Sequence, residues 1–433
     1  MSHPAHETHN SDASVKIFRK TKRRVLTRRG VIWLGQTCNL RCFFCYFIQR
    51  IGDADHPEHA FLRLDKAKAI CRILRRFYGN TAVDIQGGEP TLYPEILELV
   101  RYCREIGLYP TLITNGLVLA EPGRVEAYRD AGIRDFLVSL HGIGAAHDEV
   151  VGRKGAFDKT VAAIEHMRRA GIPVRFNCTM TKQSVPFLAA IAHKAIGCGA
   201  NAVNYIAHND FGDQRTGVRT TANVPRYAEL APRLAEAIDL LEAAGVETNV
   251  RYIPLCVAQP RHRKNFYNFQ QLSYDTHEWD YQSWLWTMMT PQLTRDGGLS
   301  PPYRLGRGAR RFVWRQDHAR LRDWAEAHPI KSRVCFLGQR ALARAGQLLL
   351  GKAFWYRREA VARTRIDLQY TFCEVCTRCS AKDICDGFHG DYAAMFGTDE
   401  AQAITDVPRT EDPTAFIRRQ EKVVEPEDES WAL

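Results

Sequence analysis

Three cysteines, Cys38, Cys42 and Cys45, follow an apolar run over residues 31–34 that is typical of a buried strand. Thiolates are the ligands of iron–sulfur clusters, and a [4Fe–4S] cube takes four of them. With only three thiolates close in sequence, one iron of such a cube would stay open to a small molecule. A structural zinc and three unrelated cysteines are the alternatives, although a structural zinc normally has four protein ligands.

A second group with binding chemistry is the turn formed by Gly87, Gly88, Glu89 and Pro90, directly after the next apolar run. Two glycines let a backbone approach a ligand closely. The Glu89 carboxylate can accept hydrogen bonds from an ammonium group. Glycine-rich turns follow many strands, so this turn alone indicates little. Because this turn follows the cysteine loop and one predicted helix along the chain, it is a strong indication of a binding site.

Together these motifs resemble the radical S-adenosylmethionine (radical SAM) superfamily over roughly residues 28–255. The resemblance implies that Cys38, Cys42 and Cys45 hold a [4Fe–4S] cluster. It also implies that the amino and carboxylate groups of SAM chelate the open iron, and that the Gly87–Gly88–Glu89 turn binds the amine.

Further cofactor contacts are expected from the resemblance and from strand ends, where ligands of parallel α/β folds sit. Ser139 resembles a serine that contacts the SAM carboxylate or ribose, and Arg153 resembles an arginine that pairs with the carboxylate. Asn115 and Asn177 end predicted strands, and Tyr46 belongs to the loop that meets the adenine in the family. Capping, turn chemistry and packing are the alternatives for these residue types.

A second cysteine motif near the C-terminus has the spacing C-x2-C-x2-C-x5-C-x3-H, formed by Cys373, Cys376, Cys379, Cys385 and His389. Four thiolates this close can surround an iron–sulfur cube or a zinc ion. The motif resembles the auxiliary-cluster regions (SPASM or twitch type) of radical SAM enzymes, although His389 stands where the full pattern has a cysteine. We expect one auxiliary [4Fe–4S] cluster. Its ligand set stays open, since Cys256 and Cys335 are also available.

The elements that must position these groups alternate between strand and helix. Six strand–helix units are followed by a strand over residues 246–253. Such alternation predicts parallel strands with right-handed crossovers, and six units are too few for a closed eight-stranded barrel. We therefore predict an α/β fold, a partial (βα)6 TIM-like barrel with a C-terminal cysteine-rich auxiliary-cluster domain. Cys71 and Cys103 lie on apolar helix faces and are expected in the core. His141 ends the fourth strand, either as an acid–base group or bonded to local backbone.

Five regions are predicted along the 433 residues: a basic, disordered arm (1–27), the barrel (28–255), an aromatic- and arginine-rich linking or substrate region (256–372), the auxiliary-cluster motif (373–400) and an acidic, disordered tail (401–433). The net charge of +11 indicates either solvated surface or an anionic substrate or partner. Because 13 cysteines occur without a signal-peptide pattern or a membrane-length apolar run, a reducing cytoplasm is expected.

The resemblance implies an enzyme that reductively cleaves SAM to a 5′-deoxyadenosyl radical, which takes a hydrogen atom from a substrate. The expected role is biosynthesis or maturation of a small molecule or peptide, with an electron donor such as flavodoxin or ferredoxin. One alternative is a peptide maturase with a separate leader-binding partner, because about thirty residues before the first strand are too few for a fused domain. An alternative of another class is a nucleic-acid-binding iron–sulfur sensor, which would bind with steep salt dependence. Such a sensor would not need the Gly-Gly-Glu-Pro turn.

Overall fold

The computed structural model describes residues 18–21, 29–45, 47–55, 59–78, 80–209, 219–272, 327–350, 364 and 369–427. Tyr46, predicted to meet the adenine, lies outside these ranges, as does most of the aromatic- and arginine-rich region. The side chain of Cys335 is also outside the described part.

Eight parallel strands form one sheet in which each strand pairs with the next along the chain. They are β2 (Arg29–Trp33), β3 (Ala82–Gln86), β4 (Tyr109–Thr114), β5 (Asp135–Ser139), β6 (Val174–Met180), β7 (Ala202–Ala207), β8 (Glu247–Arg251) and β9 (Phe266–Tyr267). Strands β2 and β9 do not pair with each other, so the barrel is open. The predicted partial barrel is confirmed. The sheet has one strand more than predicted, because β9 is only two residues long and gives no periodic signal.

Helices pack on the outer face of this sheet. They are α1 (Ile48–Gly52), α2 (Leu64–Ile73), α3 (Ile96–Glu105), α4 (Arg124–Ala131), α5 (Ala145–Val151), α6 (Ala156–Arg169), α7 (Leu188–Gly197), α8 (Tyr227–Ala243) and α9 (Phe269–Leu272). Apolar residues on alternate strand positions meet them, as where Tyr128 of α4 lies edge-on against Phe136 of β5. Cys71 and Cys103 are fully buried in this layer with their sulfurs 3.6 Å apart, which confirms them as core residues.

The inner face of the sheet carries charges at the amino ends of the strands. We call this set the basal charge layer, and its members are Arg29, Asp84, Thr111, Arg134, Asp135, Arg175, Glu247, Lys422 and Glu425. The Arg29 guanidinium donates to Asp84 Oδ1 at 2.7 Å and to Glu425 Oε1 at 3.0 Å. Arg175 Nη2 lies 2.7 Å from Asp135 Oδ2, and Lys422 Nζ lies 2.6 Å from Glu247 Oε1. These pairs are buried, so each charge depends on its partner rather than on water.

The chain ends meet beneath this layer. Strand β1 (Arg19–Thr21) pairs antiparallel with β10 (Lys422–Val424). Beyond β10, Glu425 is buried against Arg29, and Glu427 Oε1 lies 2.9 Å from Arg134 Nη1. The disorder expected for both ends is therefore wrong for residues 18–21 and 401–427. Composition indicated solvated charges there, but Glu425 and Glu427 pair with arginines of the barrel, and Lys422 pairs with Glu247 of the barrel.

Helix α10 (Pro329–Leu350) contributes none of its described side chains to the core, whereas α11 (Gly390–Phe396) buries Tyr392 in it. Ile330, Leu342 and Leu348 of α10 are each more than 70% exposed. Within the described ranges, no helix combines the length and the apolarity that crossing a bilayer requires.

Candidate cluster and cofactor site

The Gly87–Gly88 turn lies directly on the backbone that leads into the cysteine loop. Gly88 N donates to Gly35 O at 2.7 Å, and Glu89 N donates to Thr37 O at 2.8 Å. A Cβ atom on Gly88 would overlap the Thr37 carbonyl oxygen, and one on Gly87 would overlap the Gly35 oxygen. The sequence predicted close approach to a ligand. In the structure, the surface that demands glycine here is the cysteine loop itself.

Gly88→Ala is therefore expected to displace the cysteine loop. Overpacking of this kind costs about 1–3 kcal/mol of stability, and the loop should retain less iron after anaerobic reconstitution. Iron analysis and urea unfolding measure both effects. Gly197→Ala is the matched control, because a Cβ there meets no atom within 4 Å. Wild-type iron content in Gly88→Ala would contradict this account of the turn.

The Glu89 carboxylate joins the ends of two strands. It is buried and accepts hydrogen bonds from Thr91 N at 3.1 Å, Thr91 Oγ1 at 2.6 Å, Thr114 Oγ1 at 2.6 Å and Asn115 N at 2.8 Å. Burial raises the pKa of Glu89, and these bonds oppose the rise. Three of these bonds end on Oε1 and one on Oε2, so among the described residues Oε2 keeps an acceptor position that an ammonium group could use. The predicted contact with the SAM amine stays a prediction.

Two other predicted residues hold the cysteine loop from the opposite side. Asn115 Nδ2 donates to Asn39 Oδ1 at 2.7 Å, and Arg153 Nη1 donates to Asn39 O at 3.0 Å. In addition, Arg41 N donates to Val151 O at the end of α5, at 3.0 Å. The described partner of both side chains is therefore Asn39 of the loop, and their predicted contacts with SAM stay predictions.

The three thiols of the loop are partly exposed and free of disulfides. Leu40 N donates to Cys38 Sγ at 3.4 Å. Burial raises the pKa of Cys38 to about 12 and that of Cys45 to about 11, and the nearby Glu89 charge acts on Cys38 in the same direction. Deprotonating these buried thiols therefore costs free energy. Bound iron would offset that cost, since metal ligation requires the deprotonated thiol. The donor set therefore fits a cluster held by three thiolates.

A single metal ion fits this loop less well. In the described part of the chain, no group of three or more His, Cys, Asp and Glu side chains is arranged to hold one metal ion. A cube binds each thiolate at a separate iron, so it does not require the sulfurs to converge on one point.

Unpartnered polar groups remain at the mouth of the barrel. Ser139 and Asn177 are register partners on β5 and β6, and they share the inner face with Asp135 and Arg175. The buried Asn177 Oδ1 has no hydrogen-bond partner among the described residues. It can therefore orient a bound cofactor, and the cofactor contacts predicted for Ser139 and Asn177 stay predictions.

Three buried histidines surround the loop aromatics. His141 Nδ1 accepts from Thr179 N at 3.0 Å, and His141 N donates to His147 Nδ1 at 3.1 Å. The Phe44 ring lies edge-on to His141, with 4.6 Å between ring centroids. Burial lowers the pKa of His141 well below its ordinary value, that of His147 to about 4 and that of His208 to about 3. His141 thus has the backbone-satisfying role that the sequence left open beside acid–base work.

These histidines make the fold sensitive to mild acid. Their folded pKa values lie below the unfolded value near 6.5, so only the unfolded chain takes up protons as the pH falls below 6.5. For His147 the loss of unfolding free energy at pH 5 is about 2 kcal/mol, and it levels off near pH 4. Urea unfolding at pH 7 and pH 5 measures this loss. His147→Gln should reduce the difference in unfolding free energy between pH 7 and pH 5, whereas His193→Gln, at an exposed position, should leave that difference unchanged. The same difference in all three proteins would contradict the role given to His147.

The C-terminal cysteines are positioned by amide groups. Ile404 N donates to Cys379 Sγ and Gly387 N donates to Cys385 Sγ, both at 3.4 Å, and Cys373 Sγ lies 3.6 Å from Cys376 Sγ. Amide donors of this kind stabilise thiolates in clusters. The thiol of Cys256, a residue whose role the sequence left open, lies within electrostatic range of Cys373, Cys379 and Cys385.

His389 is engaged elsewhere, because its Nδ1 lies 2.5 Å from Asp391 Oδ1. Sequence analysis missed Arg219, which pairs with the same Asp391 carboxylate. No motif surrounds Arg219 in the sequence, and the contact joins residues 172 positions apart.

Comparisons with known proteins agree with this geometry. The radical SAM superfamily profile matches residues 34–183. An AdoMet-dependent heme synthase of Methanosarcina barkeri is 32% identical over 43% of this chain and 53% of its own length. A PqqA peptide cyclase of Methylorubrum populi is 28% identical over 49% of this chain and 52% of its own. The chain spans about half the length of the curated relatives it matches.

The solved structure of Streptococcus suis SuiB bound to S-adenosylmethionine aligns with a TM-score of 0.45 and 19% identity, covering 56% of this chain and 57% of SuiB. The cofactors of the matched superfamily are a [4Fe–4S] cluster and SAM, and the cysteine loop and the glycine turn both lie within residues 34–183. Residues 34–183 of this chain therefore carry a radical SAM domain.

Proposed function

We propose that this protein is a radical SAM enzyme that cleaves SAM reductively and removes a hydrogen atom from a small-molecule or peptide substrate. The observation that carries the proposal is the contact between the cysteine loop and the Gly87–Gly88 turn. Two backbone hydrogen bonds, from Gly88 N and Glu89 N, hold the turn against the loop at the carboxyl ends of β2 and β3. Three cluster ligands and a cofactor-binding turn are thereby fixed side by side.

When bound, the reduced cluster and SAM supply the hydrogen-abstracting radical, which is the cofactors' chemistry. The protein's part is to orient and to exclude water. Phe43 and Phe44 cover the cysteine loop with their rings edge-on to each other, 5.8 Å apart. Asn177 offers an unpartnered carbonyl oxygen at the barrel mouth, next to its register partner Ser139. The neutral histidines behind Phe44 add no charge that would attract solvent.

The C-terminal motif is proposed to hold one auxiliary [4Fe–4S] cluster. Cys373, Cys376, Cys379 and Cys385 are the proposed ligands, and Cys256 is placed to replace one of them. Such a cluster can anchor the substrate or accept an electron from it. The partners are a reduced flavodoxin or ferredoxin, and the compartment is the cytoplasm. A peptide substrate delivered by a separate leader-binding partner is one form of this proposal, because relatives are named both for small molecules and for a peptide.

The direct test is anaerobic reconstitution of the full chain, followed by iron and sulfide analysis and incubation with SAM and dithionite. We expect about eight irons if both motifs are loaded, together with release of 5′-deoxyadenosine and methionine. Deuterated candidate substrates should then transfer deuterium into 5′-deoxyadenosine. Zinc in the loop of Cys38, Cys42 and Cys45, or a fully loaded protein that leaves SAM intact, would refute the proposal.

A further inference from the structure

Arg219 carries two buried donors that nothing in the described part of the chain uses. Its side chain is only 8% exposed, and Nη1 forms an ion pair with Asp391. Its Nε and Nη2 have no hydrogen-bond partner among the described residues. These two N–H groups lie on the same edge of the planar guanidinium, which is the edge that binds carboxylates and phosphates in a two-pronged manner.

Other unpartnered groups surround this edge. The hydroxyls of Tyr227 and Tyr370 are buried and have no partner among the described residues, and each tyrosine lies within electrostatic range of Arg219 and of the other. Burial raises the pKa of both hydroxyls, so they remain protonated donors. A buried donor left unsatisfied costs about 1–3 kcal/mol. Four buried donors without partners in one region therefore indicate that a group with acceptor atoms is bound there.

The position of these donors lies between the two cysteine motifs. His208, within electrostatic range of Arg219, has its ring centroid 6.1 Å from that of Phe43 in the cysteine loop. On the other side, the Tyr370 ring is 5.1 Å from His389, which belongs to the C-terminal motif and also holds Asp391. The donors therefore lie between Phe43 of the cysteine loop and His389 of the C-terminal motif.

We propose that Arg219, Tyr227 and Tyr370 form an oxyanion-binding site that anchors a carboxylate or phosphate group of the substrate. Asp391 fixes one edge of the guanidinium and leaves the Nε–Nη2 edge for the ligand. That the ligand is the substrate rests on the proposed function, whereas the anion site itself does not. His208 adds an unpartnered Nδ1 that can accept a hydrogen bond from an N–H or O–H group next to the anion.

Three variants separate anion binding from a merely structural ion pair. Arg219→Gln removes both free donors, and Arg219→Lys keeps the charge without the planar edge. Asp391→Asn weakens the ion pair but leaves the free edge intact. Arg261→Gln is the matched control, because Arg261 forms an exposed pair with Asp239 at 2.7 Å, with its side chain 60% exposed.

The experiment is calorimetric titration of the reconstituted full chain with pyrophosphate in one arm and glutarate in the other. We expect one of the two probes to bind, which identifies the class of anion. Arg219→Gln should weaken that binding at least tenfold and Arg219→Lys by less. Arg261→Gln should stay within about threefold of wild type. Asp391→Asn should weaken binding less than Arg219→Gln does, because both donors of the free edge remain. Three results would overturn the proposal: neither probe binds, Arg219→Gln binds as wild type does, or Asp391→Asn loses as much as Arg219→Gln.

The same preparations keep this inference separate from the proposed function. Release of 5′-deoxyadenosine by the wild type, together with anion binding that is independent of Arg219, would refute the site and leave the function standing. Intact SAM in the wild type, together with anion binding that requires Arg219, would refute the function and leave the site standing.

Discussion

We expect Cys42→Ala to lower the release of 5′-deoxyadenosine below the detection limit. Two remaining thiolates cannot hold a cube whose fourth corner must stay open for SAM. Cys42 is the central thiol of the loop, and its ionisation state is coupled electrostatically to both Cys38 and Cys45. The measurement is chromatographic quantification of 5′-deoxyadenosine from reconstituted, dithionite-reduced protein, with iron content determined on the same sample.

Cys198→Ala is the control for thiol loss in general. Cys198 lies at the end of α7, and its thiol donates to Ala195 O at 3.3 Å, remote in the fold from both cysteine motifs. This variant should retain wild-type iron and product. Cleavage of SAM that survives in Cys42→Ala would remove the central assignment.

Arg29→Met is expected to lower the free energy of unfolding by about 3–5 kcal/mol. The substitution keeps the side-chain length but leaves Asp84, Glu425 and the Thr111 hydroxyl without their common donor. Arg29 is fully buried, so no solvent replaces it. Urea unfolding in duplicate series, with the slope of the transition held in common, measures the difference.

Arg129→Met is the matched control because its pair with Asp130 is exposed, with 52% and 68% of the two side chains accessible. Exposed pairs of this kind contribute about 0–1 kcal/mol. If both variants lost the same small amount, the basal charge layer would be no more stabilising than surface charge.

Much of the barrel could be read from the sequence because each strand carries its own apolar pattern. The glycine turn was also predicted from the sequence, but the physical reason for its glycines was not. Only coordinates reveal that Gly88 lies against the Thr37 carbonyl, since the sequence does not say which backbone will be its neighbour. For the same reason the sequence did not reveal that Glu89 accepts hydrogen bonds from four protein donors, beside its predicted contact with the SAM amine.

The basal charge layer could not be predicted, because its pairs join distant positions. Glu425 belongs to a run of acidic residues that looks solvated in one dimension, and nothing near it in sequence points to Arg29. The role of Arg219 could not be predicted for the same reason, since it depends on Asp391 and on two tyrosines from separate segments. Sequence periodicity predicts which face of a single helix or strand is buried, whereas these contacts form between segments that are distant in the sequence.

The pairing of β1 with β10 has a consequence for biogenesis. Arg29 emerges early in translation, but its partner Glu425 follows 396 positions later. Until Glu425 and Glu427 have left the ribosome, the base of the nascent barrel lacks these partners of Arg29 and Arg134. Its closure must therefore wait for that segment, and nascent chains are open to capture by chaperones until then.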